Sequence, residues 1–294
     1  MTRPTFDLQA HSLHSDGALP AEEVVDRAHA DGIELLALTD HDTVDGVRAA
    51  AERARALGMR LSPAAEISAV DGAYEDLHVC GYELDVDAPV LIEALEDWRA
   101  DRGRRIEAMV DRLRELGFAI DPAPLEKRKA EGKPLGRPHL ADCVLRHPDN
   151  AARLEAEGIQ GKNEFFPRYI VPGAPGFVGR STPTVYEAVD LIHAAGGVAI
   201  WAHPFWDVDS PEEVVNTLTR FVEHGMDGVE AFYATHSEDQ TNLLCDFAAT
   251  KGLLTTGSTD FHSPDHERFN RLGGFELYGR EPNLGPIGAR STPV

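Results

Sequence analysis

The decapeptide I-E-L-L-A-L-T-D-H-D spans residues 33–42 and combines the two features that decide how the chain folds. Residues 33–39 are almost continuously apolar, which is typical of a strand buried on both faces of a parallel sheet. The run ends in Asp40, His41 and Asp42, whose side chains bind metals or transfer protons. Because ligands collect at the carboxyl ends of strands in parallel α/β folds, the segment predicts a functional site there.

Similar strand-like segments lie on both sides of this decapeptide and alternate with helical patterns. Short apolar runs at 5–9, 60–65, 77–82, 198–202, 228–232 and 253–257 predict six further strands. Helices are predicted at 20–31, 46–57, 185–195, 211–224 and 239–251. Seven parallel strands joined by helices indicate an α/β fold that is close to a regular eight-unit barrel but one unit short of it.

The middle of the chain breaks this alternation. A long amphipathic helix is predicted over residues 97–116, with Ile106, Met109, Val110 and Leu113 on one face. Shorter helical segments follow, and the turn-rich V-P-G-A-P-G occupies residues 171–176. These patterns predict a helical insertion at residues 90–177, while residues 1–89 and 178–294 form the barrel.

The composition limits the classes of partner. The chain has 294 residues, of which 42% are apolar, and its 50 acidic and 28 basic residues give a formal charge of -22. This charge argues against binding to duplex DNA or to an anionic membrane. An anionic substrate would need bound cations at the site. Three widely spaced cysteines, and the absence of a leader-like or membrane-length apolar run, predict a cytoplasmic protein.

Histidines and carboxylates gather at the predicted strand ends. One such residue alone is more often a capping or core residue, but their joint placement favours a metal site. Imidazole and carboxylate ligands together suit Mn²⁺, Fe²⁺ or Zn²⁺ better than Ca²⁺ or Mg²⁺. The segments that contain them are D-L-Q-A-H-S-L-H-S-D-G at 7–17, T-D-H-D at 39–42, A-E-I-S with Glu66, His78, A-H-P at 202–204 and T-D-F-H at 259–262.

These segments, in this order, resemble the PHP (polymerase and histidinol phosphatase) family over nearly the whole chain. As a set they are specific, whereas any one of them alone is a weak signal. The resemblance is closest to the group of nucleoside 3′,5′-bisphosphate phosphatases and RNA 5′-end exonucleases. It implies a distorted (β/α)7 barrel with a helical insertion, and a metal-dependent phosphoesterase that uses two or three divalent ions, with Mn²⁺ expected and Fe²⁺ or Zn²⁺ as alternatives.

The resemblance also implies a ligand set. Glu66 would bridge two metals, the first also held by His11 and Asp260 and the second by His78 and His203. Asp16, His41 and His262 would hold a third metal. The chain departs from the family at Gln9, which stands where the family has the first histidine of H-x-H. A neutral amide is a poorer ligand than imidazole, which predicts a weaker first metal.

Catalytic and substrate-binding roles are predicted for five other residues. Asp40 and Asp42 either orient a ligand histidine or relay a proton, or they only cap their loop. By resemblance, Arg137 and His139 of G-R-P-H contact substrate phosphate, and Arg137 could bind a second phosphate bidentately. Arg180 is a further candidate.

The predicted substrate is a small nucleotide such as a 3′,5′-bisphosphonucleoside, or the 5′ end of a short single-stranded RNA. Two alternatives remain open at this point. One is a histidinol-phosphate-type phosphatase, for which the large insertion is less expected. The other is a non-catalytic metal- or nucleotide-binding module, which Gln9 favours and the other eight predicted ligands disfavour.

Overall fold

Seven strands form the frame of the protein. The computed structural model describes residues 4–72, 74–131, 133, 135–180 and 182–289. The strands are β1 Phe6–Asp7, β2 Leu35–Leu38, β3 Arg60–Asp71, β4 Tyr74–Tyr82, β5 Val198–Trp201, β6 Gly228–Tyr233 and β7 Leu254–Ser258. They make one sheet in the order β1 to β7. Backbone hydrogen bonds from Leu8 to Gly257 and from His11 to Phe261 join its two ends, which closes the sheet into a nearly complete barrel.

Helices connect most of these strands. The chain forms α1 Ala21–Ala30, α2 Val47–Ala56, α3 Pro89–Glu115, α4 Ala123–Ala130, α5 Arg137–Leu145, α6 Ala151–Ala156, α7 Lys162–Phe165, α8 Val185–Ala194, α9 Pro204–Asp207, α10 Pro211–Glu223 and α11 Glu238–Lys251. Short 3₁₀ and π segments occupy Pro148–Asn150 and Phe166–Ile170. The apolar faces of α1 and α2 pack with β2 in a buried cluster that includes Val24, Leu36 and Val47. This packing fixes the loops that follow β1 and β2.

The prediction that all seven strands are parallel is wrong for β4. Strand β4 runs antiparallel to both β3 and β5, with Glu66 opposite Cys80 and Val79 opposite Trp201. The predicted third strand was also too short, since β3 continues past Glu66 to Asp71. Only two residues separate the end of β3 from the start of β4, and so short a connection requires antiparallel pairing because a parallel one needs a longer crossover.

The chain divides into two compact units. The first comprises Met1–Leu95 and Pro183–Val294, and the second comprises Glu96–Thr182. The second unit has its own core, in which Met109, Leu113, Leu140, Phe165 and Ile170 are almost fully buried. The sequence placed the insertion at residues 90–177 and began its long helix at Asp97, whereas α3 begins at Pro89.

None of the helices in the part of the chain that the structure describes is long and apolar enough to span a membrane.

Candidate metal centre

Nine side chains that the sequence marked as ligands converge at one end of the barrel. Seven of them follow β1, β2, β5 or β7, where parallel strands deliver their last residues to the same rim. The other two, Glu66 and His78, lie inside β3 and β4, and antiparallel pairing sets Ser68 opposite His78. The seven loop residues are Gln9, His11, Asp16, His41, His203, Asp260 and His262.

Glu66 lies at the middle of this group and is almost fully buried. Its Oε1 is 2.9 Å from Nδ1 of His78 and 3.1 Å from Nε2 of His203. Its Oε2 is 3.2 Å from Nε2 of His11 and 3.2 Å from Nδ1 of His41. Each oxygen therefore faces a different pair of imidazoles, which is the arrangement that a carboxylate needs to bridge two cations.

Three overlapping sets of side chains have ligand atoms within 4.8 Å of one another. His41 belongs to two of the sets, so the structure places it beside Glu66 and His78 as well as beside Asp16. His203 is close to the second set, with its Nε2 3.2 Å from Nδ1 of His78. The sets are His11, Glu66 and Asp260; His41, Glu66 and His78; and His11, Asp16, His41 and His262.

Hydrogen bonds at the far side of two imidazoles fix which nitrogen faces the centre. Nδ1 of His262 lies 2.7 Å from the carbonyl oxygen of Asp260, so it donates and leaves Nε2 with a lone pair. Nδ1 of His11 lies 3.3 Å from Oγ of Ser15, while Nε2 of His11 is 3.0 Å from Oδ1 of Asp260. Both rings are oriented as metal ligands are.

Gln9 takes the place of an imidazole and keeps a lone pair for the centre. Its Nε2 donates to Oε1 of Glu66 at 2.9 Å. Its Oε1 is buried and has no hydrogen-bond partner among the described residues. A buried polar atom without a partner is costly, and a cation would satisfy it. The chemistry of the donor set and this amide oxygen both fit a divalent metal site.

The ionised carboxylates of this group favour the binding of protons or cations between the side chains. Burial raises the pKa of Glu66, but the charges of His78 and His41 outweigh it and hold the pKa well below its usual range. Burial likewise opposes ionisation of Asp260, yet His262 and His11 lower its pKa to about 2. For His203, burial lowers the pKa, whereas the contact with Glu66 raises it to about 9. The ionised carboxylates thus attract protons, and divalent cations would compete for the same positions.

Several site residues have an unusual backbone conformation. The φ angles of Asp42, His203 and Asp260 are 53°, 28° and 57°, in the left-handed region that non-glycine residues rarely adopt. Each of the three lies in a loop at the carboxyl end of a strand, and strained backbone conformations of this kind concentrate at functional sites. Their clustering supports a functional role for this rim.

Asp40 and Asp42 both hold loops in place. Asp40 accepts hydrogen bonds from the backbone N–H of Ser12 and from the hydroxyls of Ser12 and Ser15, at 2.6–2.7 Å. Since Ser15 also contacts His11, Asp40 reaches a candidate ligand through a single hydroxyl. Asp42 accepts from the N–H of Ser68 at 3.0 Å. A direct catalytic role for either carboxylate stays a prediction.

The sequence did not identify two residues whose hydrogen bonds hold candidate ligands in place. The hydroxyl of Tyr233 donates to Oδ2 of Asp260 at 2.9 Å. Glu230 accepts from the N–H of His203 at 2.9 Å, and burial raises the pKa of Glu230 to about 7. A charged residue inside the apolar strand β6 was the available signal for Glu230. Tyr233 ends the same strand, and nothing in its sequence context distinguishes it from a core tyrosine.

The three predicted substrate-binding residues all belong to the second unit. Arg137 is the first residue of α5, donates to the carbonyl of Ile170 at 3.4 Å and lies 5.9 Å from the ring centre of Phe166. Nδ1 of His139 accepts from the N–H of Gly136 at 3.1 Å. Arg180 is partly buried in the segment after Phe177. Their roles toward a substrate stay predictions.

Comparison with known proteins places the chain among relatives that act on phosphate esters. The family model described as the PHP domain matches residues 7–89. The chain is 32% identical to a 5′-3′ exoribonuclease of Haemophilus influenzae, covering 88% of this chain and 90% of the relative. It is 30% identical to a 3′,5′-nucleoside bisphosphate phosphatase of Chromobacterium violaceum, covering 96% and 93%. A crystal structure assigned as a metal-dependent phosphoesterase from Bifidobacterium adolescentis superimposes with a TM-score of 0.76 at 26% identity, covering 95% and 100%.

The chain belongs to the PHP family, which confirms the resemblance drawn from its motifs. Within that family it is a metal-dependent phosphoester hydrolase with a seven-stranded, nearly closed barrel, as predicted. Among the described residues, the histidine and carboxylate cluster at the barrel rim could hold a metal ion.

Proposed function

We propose that the protein hydrolyses a phosphate monoester of a small nucleotide, such as a 3′,5′-bisphosphonucleoside, or acts on the 5′ end of a short RNA. The observation that carries this proposal is the position of Glu66, whose two oxygens face separate pairs of imidazoles. The similarity to a bisphosphate phosphatase and to an exoribonuclease supports a nucleotide substrate.

The nine rim residues would hold two or three divalent ions, with Mn²⁺ as the expected metal. Such ions, when bound, acidify water and neutralise phosphoryl oxygens. Glu66 would be shared between two ions, and the buried amide oxygen of Gln9 would complete the first site with His11 and Asp260. Ser15 and Tyr233 would keep His11 and Asp260 in the orientation that binding requires.

Phosphate release tests the proposal directly. Metal-stripped protein resupplied with Mn²⁺ is incubated with adenosine 3′,5′-bisphosphate, 5′-AMP, histidinol phosphate or a short 5′-phosphorylated RNA. We expect preferential hydrolysis of the bisphosphate or of the RNA, and loss of that activity with a chelator. Preference for histidinol phosphate would instead support the smaller amine-bearing substrate, and inactivity on all four with metal bound would support a binding module.

Arg137 provides the next prediction. If Arg137 binds the second phosphate, Arg137→Ala should raise the KM for a bisphosphate by about tenfold to a hundredfold, because a charge-assisted bidentate contact is lost. The KM for a monophosphate should change much less. Arg146→Ala is the matched control, since Arg146 caps the C-terminal end of the same helix and its side chain is 82% exposed. Equal effects of Arg137→Ala on both substrates would contradict the assignment.

A reducing compartment such as the cytoplasm suits the chain, since Cys80, Cys143 and Cys245 are buried and unpaired. The net charge of -22 disfavours binding to duplex DNA or to a membrane surface. It is compatible with a small anionic substrate that bound cations hold.

A further inference from the structure

Trp206 is a large apolar side chain left in solvent beside the metal centre. It is 50% exposed, more than the other large apolar side chains that the structure describes as exposed. It lies in α9, whose first turn starts at the candidate ligand His203, and the N–H of Trp206 donates to the carbonyl of His203 at 2.8 Å. The indole therefore comes from the same short turn as a metal ligand.

The indole has a rigid support. Its ring centre lies 5.7 Å from that of Phe269, with an angle of 59° between the planes. Phe269 is only 6% exposed and is packed in turn against Tyr233, at 5.9 Å. Nδ1 of His266 accepts hydrogen bonds from the N–H groups of Arg268 and Phe269, which fixes the loop that carries this ring.

The same support connects Trp206 to a second candidate metal ligand. The ring of Phe269 lies 6.0 Å from the imidazole of His262, a candidate ligand of the third metal set. The ring of Phe269 thus lies between Trp206 and His262. In the sequence, Trp206 follows His203 by three residues. A ligand whose phosphate reached the ligand histidines would bring its neighbouring group to the indole.

We propose that Trp206 stacks on the nucleobase of the substrate and so selects nucleotides over phosphates that lack a base. The inference rests on the proposed function and names the part of the substrate that Trp206 recognises. Every base has a flat π-face, and stacking on an exposed aromatic ring binds it without need of charge. The cluster of carboxylates and imidazoles attracts cations and through them the phosphate, whereas the indole offers an apolar face, so the two features together match a molecule with a phosphate at one end and an aromatic ring at the other.

The test compares two ligands that differ only in the base. Binding of 5′-AMP and of ribose 5-phosphate to the Mn²⁺-loaded 294-residue chain is measured by calorimetry for wild type, Trp206→Ala and Trp206→Phe. We expect Trp206→Ala to raise the Kd of 5′-AMP about tenfold and to change the Kd of ribose 5-phosphate less than about twofold. Trp206→Phe should retain most of the affinity for 5′-AMP, because phenylalanine also stacks.

Ile92→Ala serves as the matched control, since Ile92 is another exposed apolar side chain, 38% exposed in α3. Equal losses for both ligands, as expected if Trp206 only supports His203, or no change for 5′-AMP, would overturn the inference. A selective loss of 5′-AMP binding in a protein that releases phosphate from none of the nucleotides would keep the inference and reject the proposed reaction. The two proposals can therefore fail separately.

Discussion

Replacing Glu66 with glutamine is expected to remove bound metal and activity together. Glutamine has nearly the same shape but no charge, and only its single carbonyl oxygen can accept a metal. Glu66 is the residue whose oxygens contact His11, His41, His78 and His203 at 2.9–3.2 Å. We expect the phosphatase rate to fall by at least about a thousandfold, since shared metal ions supply several kcal/mol of transition-state stabilisation. Metal content is measured on the same preparation by elemental analysis.

Glu83→Gln is the control for this substitution. Glu83 is also buried, but it follows β4 at the other end of the barrel, where it accepts from Ser62 and from the N–H of Gly288. Its replacement should leave metal content and rate nearly unchanged. Full activity of Glu66→Gln with unchanged metal content would remove the bridging assignment. A melting curve for each variant separates loss of metal from loss of fold.

Much of the site could be predicted because parallel strands impose a simple rule. His11, His41, His203 and Asp260 all come just after short apolar runs, and the carboxyl ends of parallel strands meet at one rim. The residue types then indicate a metal, since imidazoles and carboxylates without thiolates suit a catalytic ion. Local sequence therefore contained both the position and the chemistry of these residues.

The rule also placed Glu66, at the end of the predicted strand 60–65, but it could not give the position of His78. Parallel pairing of β3 with β2 sets Glu66 beside His41 at the rim, whereas His78 lies inside β4, and only the antiparallel direction of β4 brings it there. The residues of an apolar run do not show whether the strand will pair parallel or antiparallel to its neighbours. That orientation depends on the connection between the strands. Residues 60–65 and 77–82 were predicted as strands, but the residues that continue them toward this connection were not.

The hydrogen bonds that hold the candidate ligands in place could not be predicted from the sequence, for a different reason. Tyr233 and Asp260 are 27 residues apart in sequence, as are Glu230 and His203, and no local pattern links the members of either pair. Asp40 was predicted to orient a ligand histidine or relay a proton, or to cap its loop, and no local pattern pointed to its contacts with Ser12 and Ser15 of the loop after β1, the second of which contacts His11. Long-range hydrogen bonds depend on how the strands close into the barrel, which becomes visible only in three dimensions.

Metal binding is expected to weaken as the pH falls and to release protons. In the metal-free site the contact with Glu66 outweighs the effect of burial and raises the pKa of His203 to about 9, so this imidazole is protonated at neutral pH. The pKa of His78 is raised and that of His11 is well above its usual value, because Glu66, and for His11 also Asp260, offsets burial. A metal ligand must be neutral imidazole, so each ion has to displace protons.

Below about pH 9, the affinity for Mn²⁺ should therefore fall by about tenfold per pH unit for each proton displaced. Titration calorimetry at pH 6.5, 7.5 and 8.5, in buffers of different ionisation enthalpy, measures both the affinity and the number of protons released. In the metal-free protein, the contribution of His203 to folding stability should instead decrease as the pH rises. A pKa raised in the folded state stabilises it fully below the unfolded value of 6.5, and this contribution is lost as the pH rises through about 9.

His203→Gln is the matched variant for this prediction, because it removes one titrating group and leaves a neutral side chain of similar reach. It should lower the number of protons released on metal binding and flatten the pH dependence of the unfolding free energy in the metal-free protein. His193→Gln is the control, since His193 pairs with Asp227 at 2.8 Å outside the site. An affinity for Mn²⁺ that does not change with pH, with no protons released, would show that the imidazoles near Glu66 are neutral before the metal arrives.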